Sequence, residues 1–504
     1  MLEPSKMIRS KTGVAGLDEV LHGGFISGRL YLIDGNPGAG KTTLALQFLR
    51  AGLREGERCL YITLSESADE LRAGARSHGW SLEGVEIVEL IAEDSDLEGP
   101  GQLTMYQPSE VELTETTKKV LDAVAGFKPQ RMVFDSLSEL RLLAQSSLRY
   151  RRQVLALKQF FVGRGCTVLL LNDRAAESSD TQLQSIVHGV VSLEHRAPTY
   201  GPLLRQLQVV KFRGSDFLSG YQDFIIQRGG IEVFPRLKAA EHGASFVHEA
   251  LLSGVAELDA LFGGGIDRGT STLLIGPPGT GKSTVALQFA QAAAQRGSHA
   301  AVFTFEESLE LLLSRCEGLG IRIRDSVAAG TALVKRIDPA QVLPGQFAQM
   351  VRQAVECHDA RVVVIDSLSG YMNAMPEARA LTVQLHELLS YLNNHGVVTF
   401  VVAAQTGLMG ANIRSPVDAS YMADAVVVFR MYEHLGQVKK AVSVLKKRSG
   451  RHEESVRQMW FDEQGIHLSP PLLHLRGVLT GVPEEVGRHG APAVPSRAVD
   501  LGHG

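Results

Sequence analysis

An internal repeat constrains the fold of this chain more than any other feature. Motifs that begin at positions 13, 35, 47 and 62 recur at positions 254, 276, 288 and 303, always 241 residues later. A fixed interval across several motifs indicates a tandem duplication, so the two halves are expected to share one fold. The length of 504 residues suggests two to four domains, which accommodates two copies.

The most informative repeated motif is a glycine-rich loop, Gly35–Thr42 in the first copy and Gly276–Ser283 in the second. Both loops follow an apolar run and match G-x-x-x-x-G-K-[ST], the pattern of a phosphate-binding loop. Its glycines let backbone N–H groups converge on phosphate oxygens, and its lysine reaches the terminal phosphates. We therefore predict two nucleoside triphosphate sites. The residues assigned to them are Gly35, Gly38, Gly40, Lys41, Thr42, Thr43, Gly276, Gly279, Gly281, Lys282, Ser283 and Thr284.

Strand and helix patterns alternate along each copy, which is typical of an α/β fold with a mainly parallel sheet flanked by helices. In the first copy, three closely spaced strand candidates come last: Val190–Glu194, Leu204–Lys211 and Tyr221–Ile226. Their short turns predict an antiparallel extension of the sheet. We place the first domain at residues 1–240, the second at 241–470, and a loosely ordered tail rich in Gly, Pro and charge at 471–504.

Each copy also contains an apolar strand that ends in aspartate, at Asp135 and at Asp366. An acid at the carboxyl end of a buried strand beside a phosphate loop can hold Mg²⁺. We therefore predict a metal site in each copy, formed by Thr42 with Asp135 and by Ser283 with Asp366. The alternative is a helix cap, which the serine after each aspartate could also supply.

Acidic residues follow the strand after each loop helix, at Glu66 in the first copy and at Glu306 and Glu307 in the second. This edge of an α/β sheet is where ligands bind, so these carboxylates are candidates for orienting or activating the attacking water. We predict that all three are catalytic. The alternative is a solvated helix start, where the helix dipole favours acidic residues.

Several of these motifs together resemble the RecA superfamily and, within it, the KaiC family. They are the repeated G-V-x-x-L-D, the loops GNPGAGKTT and GPPGTGKST, the TFEES strand end and the IDS strand. The resemblance spans both copies to about residue 470 and implies two tandem RecA-like P-loop domains that bind ATP and Mg²⁺ and hydrolyse ATP. It also implies a double-layered homo-hexameric ring with ATP between subunits, and signalling proteins as partners. Some family members phosphorylate their own Ser and Thr.

Two basic pairs gain a role from this resemblance: Lys211 with Arg213, and Lys446 with Arg448. On spacing alone they are solvated charges that protect edge strands. In KaiC-like rings the matching K-x-R faces the γ-phosphate of the neighbouring subunit, like an arginine finger. The resemblance therefore implies that all four side chains contact ATP bound to another subunit.

The sequence departs from the family at two places. Ser65 stands where KaiC proteins have the first of two glutamates, so we expect the second copy to be the stronger ATPase and the first to bind ATP mainly for assembly. The phosphorylated Ser-Thr pair of KaiC aligns with Ser420-Tyr421, and a third acceptor falls at Ser415. Ser420 is therefore a candidate phosphosite, whereas ordered two-site phosphorylation is not expected.

Two other classes of function remain open. A RecA- or RadA-like DNA machine needs basic central loops, but Arg174–Gly189 and Thr406–Ser420 mix basic with acidic residues, and the net charge is −4. These features argue against DNA as a partner. An ATP-dependent assembly scaffold fits the first copy better than the second. The longest apolar run, Val397–Ala404, is too short to span a bilayer, so we expect a cytoplasmic protein without a membrane partner.

Overall fold

The computed structural model describes residues 8–90, 108–174, 181–197, 203–237, 246–373, 378–405 and 421–486. The chain divides into two compact units, Met1–Arg236 with Leu343–Gln349, and Leu237–Val342 with Met350–Gly504. The domain boundaries at residues 240 and 470 stay a prediction. Among the described residues, no helix is both long enough and apolar enough to cross a membrane.

The first unit is built around a nine-stranded sheet. Along the chain its described strands are β1 (Arg9–Ser10), β2 (Phe25–Ile26), β3 (Leu30–Gly35), β4 (Cys59–Thr63), β5 (Val85–Glu89), β6 (Arg131–Asp135), β7 (Thr167–Asp173), β8 (Gly189–Arg196), β9 (Leu204–Phe212), β10 (Tyr221–Gln227) and β11 (Gly230–Phe234). Its described helices are α1 (Ala15–Val20), α2 (Lys41–Arg54), α3 (Ala68–Ser77), α4 (Pro108–Phe127), α5 (Leu137–Ala144), α6 (Ser147–Phe161) and α7 (Thr181–Ile186). The strand order is β11-β10-β9-β8-β3-β7-β6-β4-β5. The strands from β8 to β5 in this order pair in parallel, and β9, β10 and β11 join by antiparallel pairing.

The second unit repeats this architecture. Its described strands are β12 (Ala250–Leu251), β13 (Ile266–Asp267), β14 (Ser271–Gly276), β15 (His299–Thr304), β16 (Ala332–Arg336), β17 (Ala360–Asp366), β18 (Val398–Ala404), β19 (Ala425–His434), β20 (Gln437–Lys447), β21 (Arg457–Asp462), β22 (Gly465–Pro471), β23 (Leu475–Arg476) and β24 (Glu484–Glu485). The described helices along this part of the chain are α8 (Ala256–Leu261), α9 (Lys282–Gln295), α10 (Leu309–Glu317), α11 (Ile323–Ala328), α12 (Pro344–His358), α13 (Leu368–Asn373) and α14 (Ala378–Asn394). The residues of α12 up to Gln349 belong to the first unit. The sheet order β16-β15-β17-β18-β14-β19-β20-β21-β22 matches that of the first unit read from the opposite end.

The central strands are buried on both faces because helices cover both sides of the sheet. In β3, Tyr31 and Ile33 belong to the same apolar cluster as Phe48 of α2. Leu32, which points to the opposite face, belongs to a second cluster that contains Leu157 of α6. Such two-sided burial is typical of parallel sheets, and it holds the carboxyl end of β3 in a fixed position for the loop that follows.

The predicted fold class is confirmed, since each unit has a mainly parallel sheet with helices on its faces and an antiparallel extension. One detail of the prediction is wrong. The candidate Val190–Glu194 belongs to β8, which pairs in parallel with β3, so the antiparallel part begins one strand later. It also gains β11, which the sequence did not reveal because a turn at Gly229 directly precedes this short strand.

Part of the segment assigned to the tail has regular structure. β23 and β24 pair antiparallel around a short 3-10 turn at Val478–Thr480, and the Val478 side chain is buried. Tyr432 of β19 belongs to the same small apolar cluster as Val478. Regular structure in the second unit therefore continues past residue 470, while residues 487–504 lie outside the described part of the chain.

Candidate ATP-hydrolysing sites

Both glycine-rich loops connect the carboxyl end of a central strand to the first turn of a helix. β3 ends at Gly35 and α2 begins at Lys41, while β14 ends at Gly276 and α9 begins at Lys282. Free N–H groups at a helix start favour a bound phosphate. The other residues assigned to the nucleotide lie within the loop or in this first helical turn: Gly38, Gly40, Thr42, Thr43, Gly279, Gly281, Ser283 and Thr284.

The last glycine of each loop is required by the backbone. Gly40 has φ 104° and Gly281 has φ 100°, in the left-handed region that side chains other than glycine rarely adopt. A Cβ atom at Gly40 would lie 2.7 Å from Cδ1 of Ile226, and one at Gly281 would lie 2.1 Å from Cζ of Phe461. Conformation and space therefore both select glycine, and the antiparallel extension of each sheet contacts the loop at this point.

The two loop lysines are buried but have different partners. Lys41 Nζ donates to the carbonyl oxygens of Gly35 and Asn36, at 2.9 and 3.0 Å, and lies 2.5 Å from Oδ1 of Asp173. Lys282 Nζ donates to the carbonyl oxygen of Pro277 at 2.7 Å, and burial lowers the pKa of Lys282 to about 8. The first lysine is therefore held by a carboxylate of its own domain.

Asp173 has no acidic counterpart in the second copy. It pairs with Gly35 across the β3–β7 register, and the residue that pairs with Gly276 in the same way is Ala404. This register position therefore holds an ion-pair partner of the loop lysine in the first copy and an alanine in the second.

Removing the Asp173 carboxylate is expected to tighten ATP binding at the first loop. Asp173→Asn should lower the dissociation constant about fivefold, because an ion pair of this exposure competes modestly for the lysine. The reciprocal change Ala404→Asp should weaken the second loop by a similar factor. Titration with a fluorescent ATP analogue measures both effects, with the other loop silenced through Lys282→Ala or Lys41→Ala. Weaker binding by Asp173→Asn would contradict a competing role and make Asp173 part of the ATP site.

The two strand-end aspartates lie at the same point of each sheet. Asp135 pairs with Thr63 of β4, and Asp366 pairs with Thr304 of β15. Burial is the largest cause that raises the pKa of both carboxyl groups. In the second copy the side chain of Ser283 lies near Asp366 and partly offsets this increase in its pKa, so the two predicted metal ligands are close together.

The first copy differs at this position because a tyrosine contacts the aspartate. The Tyr61 hydroxyl donates to Oδ2 of Asp135 at 2.5 Å, and the side chain of Thr42 lies near it. Tyr61 therefore engages one of the two residues predicted to hold the metal and lies close to the other. The cap at this strand end also differs, since Ser136 makes no side-chain cap bond to α5.

The paired glutamates of the second copy have separate contacts. Glu306 Oε1 accepts a hydrogen bond from the Ser367 hydroxyl at 2.5 Å, and that hydroxyl also accepts one from the Gly370 N–H, so a helix cap and an active-site contact coexist. Glu307 is held through both oxygens by Arg315, at 3.1 and 2.8 Å. Glu306 is exposed and adjacent to the strand-end serine, whereas Glu307 is half-buried and its charge is balanced by the ion pair with Arg315.

Arg315 also links its glutamate to the phosphate loop. Its Nη1 atom donates to the Thr284 hydroxyl at 3.2 Å, directly after Ser283. A bidentate guanidinium–carboxylate pair fixes geometry as well as charge. Arg315 thus orients Glu307 against the first turn of α9.

The single glutamate of the first copy lies among other acids. Glu66 is half-buried, and burial raises its pKa, with further increases from the nearby carboxylates of Asp135, Glu70 and Asp173. Ser65, at the position of Glu306, is exposed. The first copy therefore presents one carboxyl group at this strand end, with a pKa raised by burial and by neighbouring acids.

The structure brings the two basic pairs into equivalent positions. Lys211 pairs with Val190 and Lys446 with Val426, and each lysine donates to a carbonyl oxygen just before that strand, at 2.9 and 2.7 Å. The exposed arginines repeat this pattern, because Arg213 Nη2 donates to Ser185 at 3.1 Å and Arg448 Nη2 to Tyr421 at 3.0 Å.

These arginines lie far from the loop of their own unit. The Arg213 N–H donates to the carbonyl of His188, and the His188 N–H donates to the carbonyl of Leu30, at the amino end of β3. The loop begins at Gly35, at the carboxyl end of the same strand, about 16 Å away at a strand rise of 3.3 Å per residue. Neither Lys-x-Arg pair can contact the phosphate site of its own unit.

The predicted central loops are only partly described. Arg174 in the first copy binds Asp34 at 3.0 Å, Glu194 at 3.0 Å and the Ser192 hydroxyl at 2.8 Å. A guanidinium engaged by two carboxylates does not supply the positive stripe that a DNA backbone needs. Residues 175–180 and 406–420, which include Ser415 and Ser420, lie outside the described residues.

Three residues at the sites were not found from the sequence: Tyr61, Asp173 and Arg315. Asp173 carried a usable signal, because it directly follows the strand-like run Thr167–Asn172, and acids after such runs fall at the ligand-binding edge of a parallel sheet. Tyr61 lies within a buried apolar strand, and Arg315 is one of several charged residues along a helix. Neither residue therefore differed from its surroundings in sequence.

Two RecA-like domains, each with a phosphate loop and strand-end carboxylates, define this protein as a tandem P-loop ATPase. The KaiC ATPase family model matches residues 10–238 and 251–472, so the chain belongs to the KaiC ATPase family. It is similar to the circadian clock protein KaiC3 of Synechocystis sp., with 26% identity over 94% of this chain and 94% of that protein. It is also similar to the circadian clock oscillator protein KaiC of Synechococcus elongatus, with 23% identity over 96% and 93% of the two chains.

Proposed function

We propose that this protein is a ring-forming ATPase whose second copy carries most of the turnover and whose first copy binds ATP mainly for assembly. The observation that supports this division is the difference at one strand end. Glu306 and Glu307 stand in the second copy where Ser65 and Glu66 stand in the first. The two domains in this proposal are residues 1–240 and 241–470.

ATP would bind through the loop N–H groups and the loop lysines. Lys41 and Lys282 would exchange their carbonyl contacts for phosphate oxygens. Because burial lowers the pKa of Lys282 to about 8, a triphosphate would favour its protonated form by supplying a charged partner. Thr43 and Thr284, in the first turn of each helix, would contribute N–H groups to the same phosphates.

Thr42 with Asp135, and Ser283 with Asp366, would hold Mg²⁺. Hydroxyl and carboxylate oxygens suit a hard cation, and the proximity of the Ser283 side chain to Asp366 supports this pairing in the second copy. When bound in such a site, Mg²⁺ neutralises charge on the β- and γ-phosphates.

Glu306 is the proposed general base of the second copy. The Ser367 hydroxyl fixes one of its oxygens, which leaves the other to orient the attacking water and accept its proton. Glu307 is proposed to assist by position, since Arg315 occupies both of its oxygens. Glu66 would have the corresponding position in the first copy, where we propose slow turnover.

Assembly is proposed to complete the sites. Arg213 and Arg448, with Lys211 and Lys446, lie too far from the loops of their own units, so any contact with a γ-phosphate must involve a neighbouring subunit. We therefore propose a homo-oligomer, a hexamer by resemblance to the family, with ATP at its interfaces. Signalling proteins are proposed as further partners because the relatives are named as clock proteins.

Autokinase activity is proposed from the family resemblance alone. Ser420 is the candidate acceptor, and mass spectrometry of the peptide that covers Ser415 to Tyr421, after incubation with Mg-ATP, decides the question.

Two loop variants test the proposed division between the copies. Lys282→Ala should lower ATP turnover about 100-fold, since it removes the charge that stabilises the terminal phosphate, and should leave the assembled mass unchanged. Lys41→Ala should instead lower the assembled mass at limiting ATP. Phosphate release and native mass measure the two effects, with the exposed Lys335→Ala as control. Equal loss of turnover from both variants, with assembly intact, would contradict the division.

A further inference from the structure

The first copy contains a buried phenol at the position of its metal ligands. Tyr61 is fully buried within β4, and its hydroxyl donates to Asp135 at 2.5 Å. The side chain of Thr42, the loop residue that follows Lys41, lies near the same hydroxyl. The phenol is therefore hydrogen-bonded to the strand-end carboxylate at a point close to the loop.

The second copy lacks this phenol. Tyr61 lies two residues before Thr63, which pairs with Asp135, and Val302 lies two residues before Thr304, which pairs with Asp366. Valine has no polar atom and cannot bond to the aspartate of its copy. The two sites therefore differ in whether a phenol engages the strand-end carboxylate.

We propose that Tyr61 is a positioning residue that engages Asp135 and so lets the first loop hold ATP with little dependence on Mg²⁺. This inference rests on the proposed ATP binding at Gly35–Thr42. A carboxylate oxygen that accepts a short hydrogen bond from a phenol is less available to a metal or its waters.

This arrangement suits a site that binds without turning over. Phosphoryl transfer depends on a metal that bridges the β- and γ-oxygens, whereas simple retention of ATP can rest on loop N–H groups and Lys41. Tyr61 therefore separates retention from hydrolysis at the first loop, and it acts independently of the missing glutamate at Ser65.

The test compares nucleotide affinity with and without Mg²⁺ at each loop. In the full-length Lys282→Ala protein the measured nucleotide affinity is that of the first loop, and in Lys41→Ala it is that of the second loop. Each variant is titrated with a fluorescent ATP analogue in Mg²⁺ or in EDTA. We expect the dissociation constant to change by less than about threefold at the first loop and by more than about tenfold at the second. Tyr61→Phe in the Lys282→Ala background should raise the first-loop ratio above about tenfold, since it removes only the hydroxyl.

Tyr31→Phe is the matched control. Tyr31 is buried in β3 and bonds to the backbone of Ile26, so Tyr31→Phe removes a buried phenol hydroxyl that has no bond to the loop. It should leave the Mg²⁺ ratio unchanged. Equal ratios at the two loops would overturn the inference even if Tyr61→Phe failed to fold, and an unchanged ratio in folded Tyr61→Phe would overturn it as well. No nucleotide binding at all by Lys282→Ala would overturn the proposed function, and this inference with it.

Discussion

Replacing Glu306 with glutamine is expected to lower the ATP turnover of the whole protein about 100-fold or more. Glutamine preserves the shape and can still accept the hydrogen bond from Ser367, but it cannot accept the proton of the attacking water. Glu66→Gln should change the same rate less than about twofold, because the first copy contributes little to it. Steady-state phosphate release at saturating Mg-ATP measures both rates.

Glu307→Gln is the matched variant for this result. Glu307 is neutralised by Arg315 in the resting structure, so its change should cost less turnover than the change at Glu306. Thermal unfolding of both variants separates a catalytic loss from a loss of fold. A comparable loss from Glu66→Gln and from the double variant Glu306→Gln/Glu307→Gln would count against a dominant second copy.

Arg448→Ala should lower turnover about 1,000-fold, the effect of removing an arginine finger. The Arg448 side chain lies at the opposite end of the sheet from the loop of its own unit. A neighbouring subunit with an intact arginine should therefore restore the lost turnover. When Arg448→Ala subunits, which have an intact loop, are co-assembled with Lys282→Ala subunits, which have an intact arginine, about a quarter of the interfaces combine both functional parts. Turnover of the mixture should therefore rise toward about a quarter of the rate of the unsubstituted protein.

The adjacent Lys447 provides the control for this experiment. Its Nζ atom donates to the carbonyl oxygens of Phe262 and Gly265 within its own unit, at 2.8 and 3.0 Å. Lys447→Ala therefore removes a neighbouring positive charge from the same strand end and is expected to leave mixing behaviour unchanged. No recovery in the mixture, although both variants assemble, would show that Arg448 does not act between subunits.

The sequence was sufficient for the parts of the site that backbone geometry dictates. The loop at Gly35–Thr42 needs glycine where φ is positive, and an acid after an apolar run, as at Asp135 or Asp366, falls at the carboxyl edge of a parallel sheet. The duplication strengthened the assignment of these motifs, because each motif recurs 241 residues later in a second copy of the same fold.

The contacts of individual side chains could not be predicted in this way. The Tyr61 hydroxyl reaches Asp135 from a neighbouring strand, so the contact depends on sheet order and register rather than on spacing along the chain. Arg315 contacts Glu307, which lies eight residues earlier in the chain, before α10 begins. Several other charged residues of this stretch were equally placed by sequence. Register also places Asp173 opposite the start of the first loop, near Lys41, whereas Ala404 has this position in the second copy.

The separation of the phosphate loop from the Lys-x-Arg pair has a consequence for symmetry. If one end of each sheet supplies the loop and the other supplies the arginine, a subunit uses two different surfaces toward its two neighbours. Such a heterologous contact cannot form a closed two-fold dimer, and it either closes into a ring or continues as an open helical filament. A substitution that tilts this contact by a few degrees, without weakening it, would therefore convert rings into fibres visible by electron microscopy while the individual ATP sites stay complete.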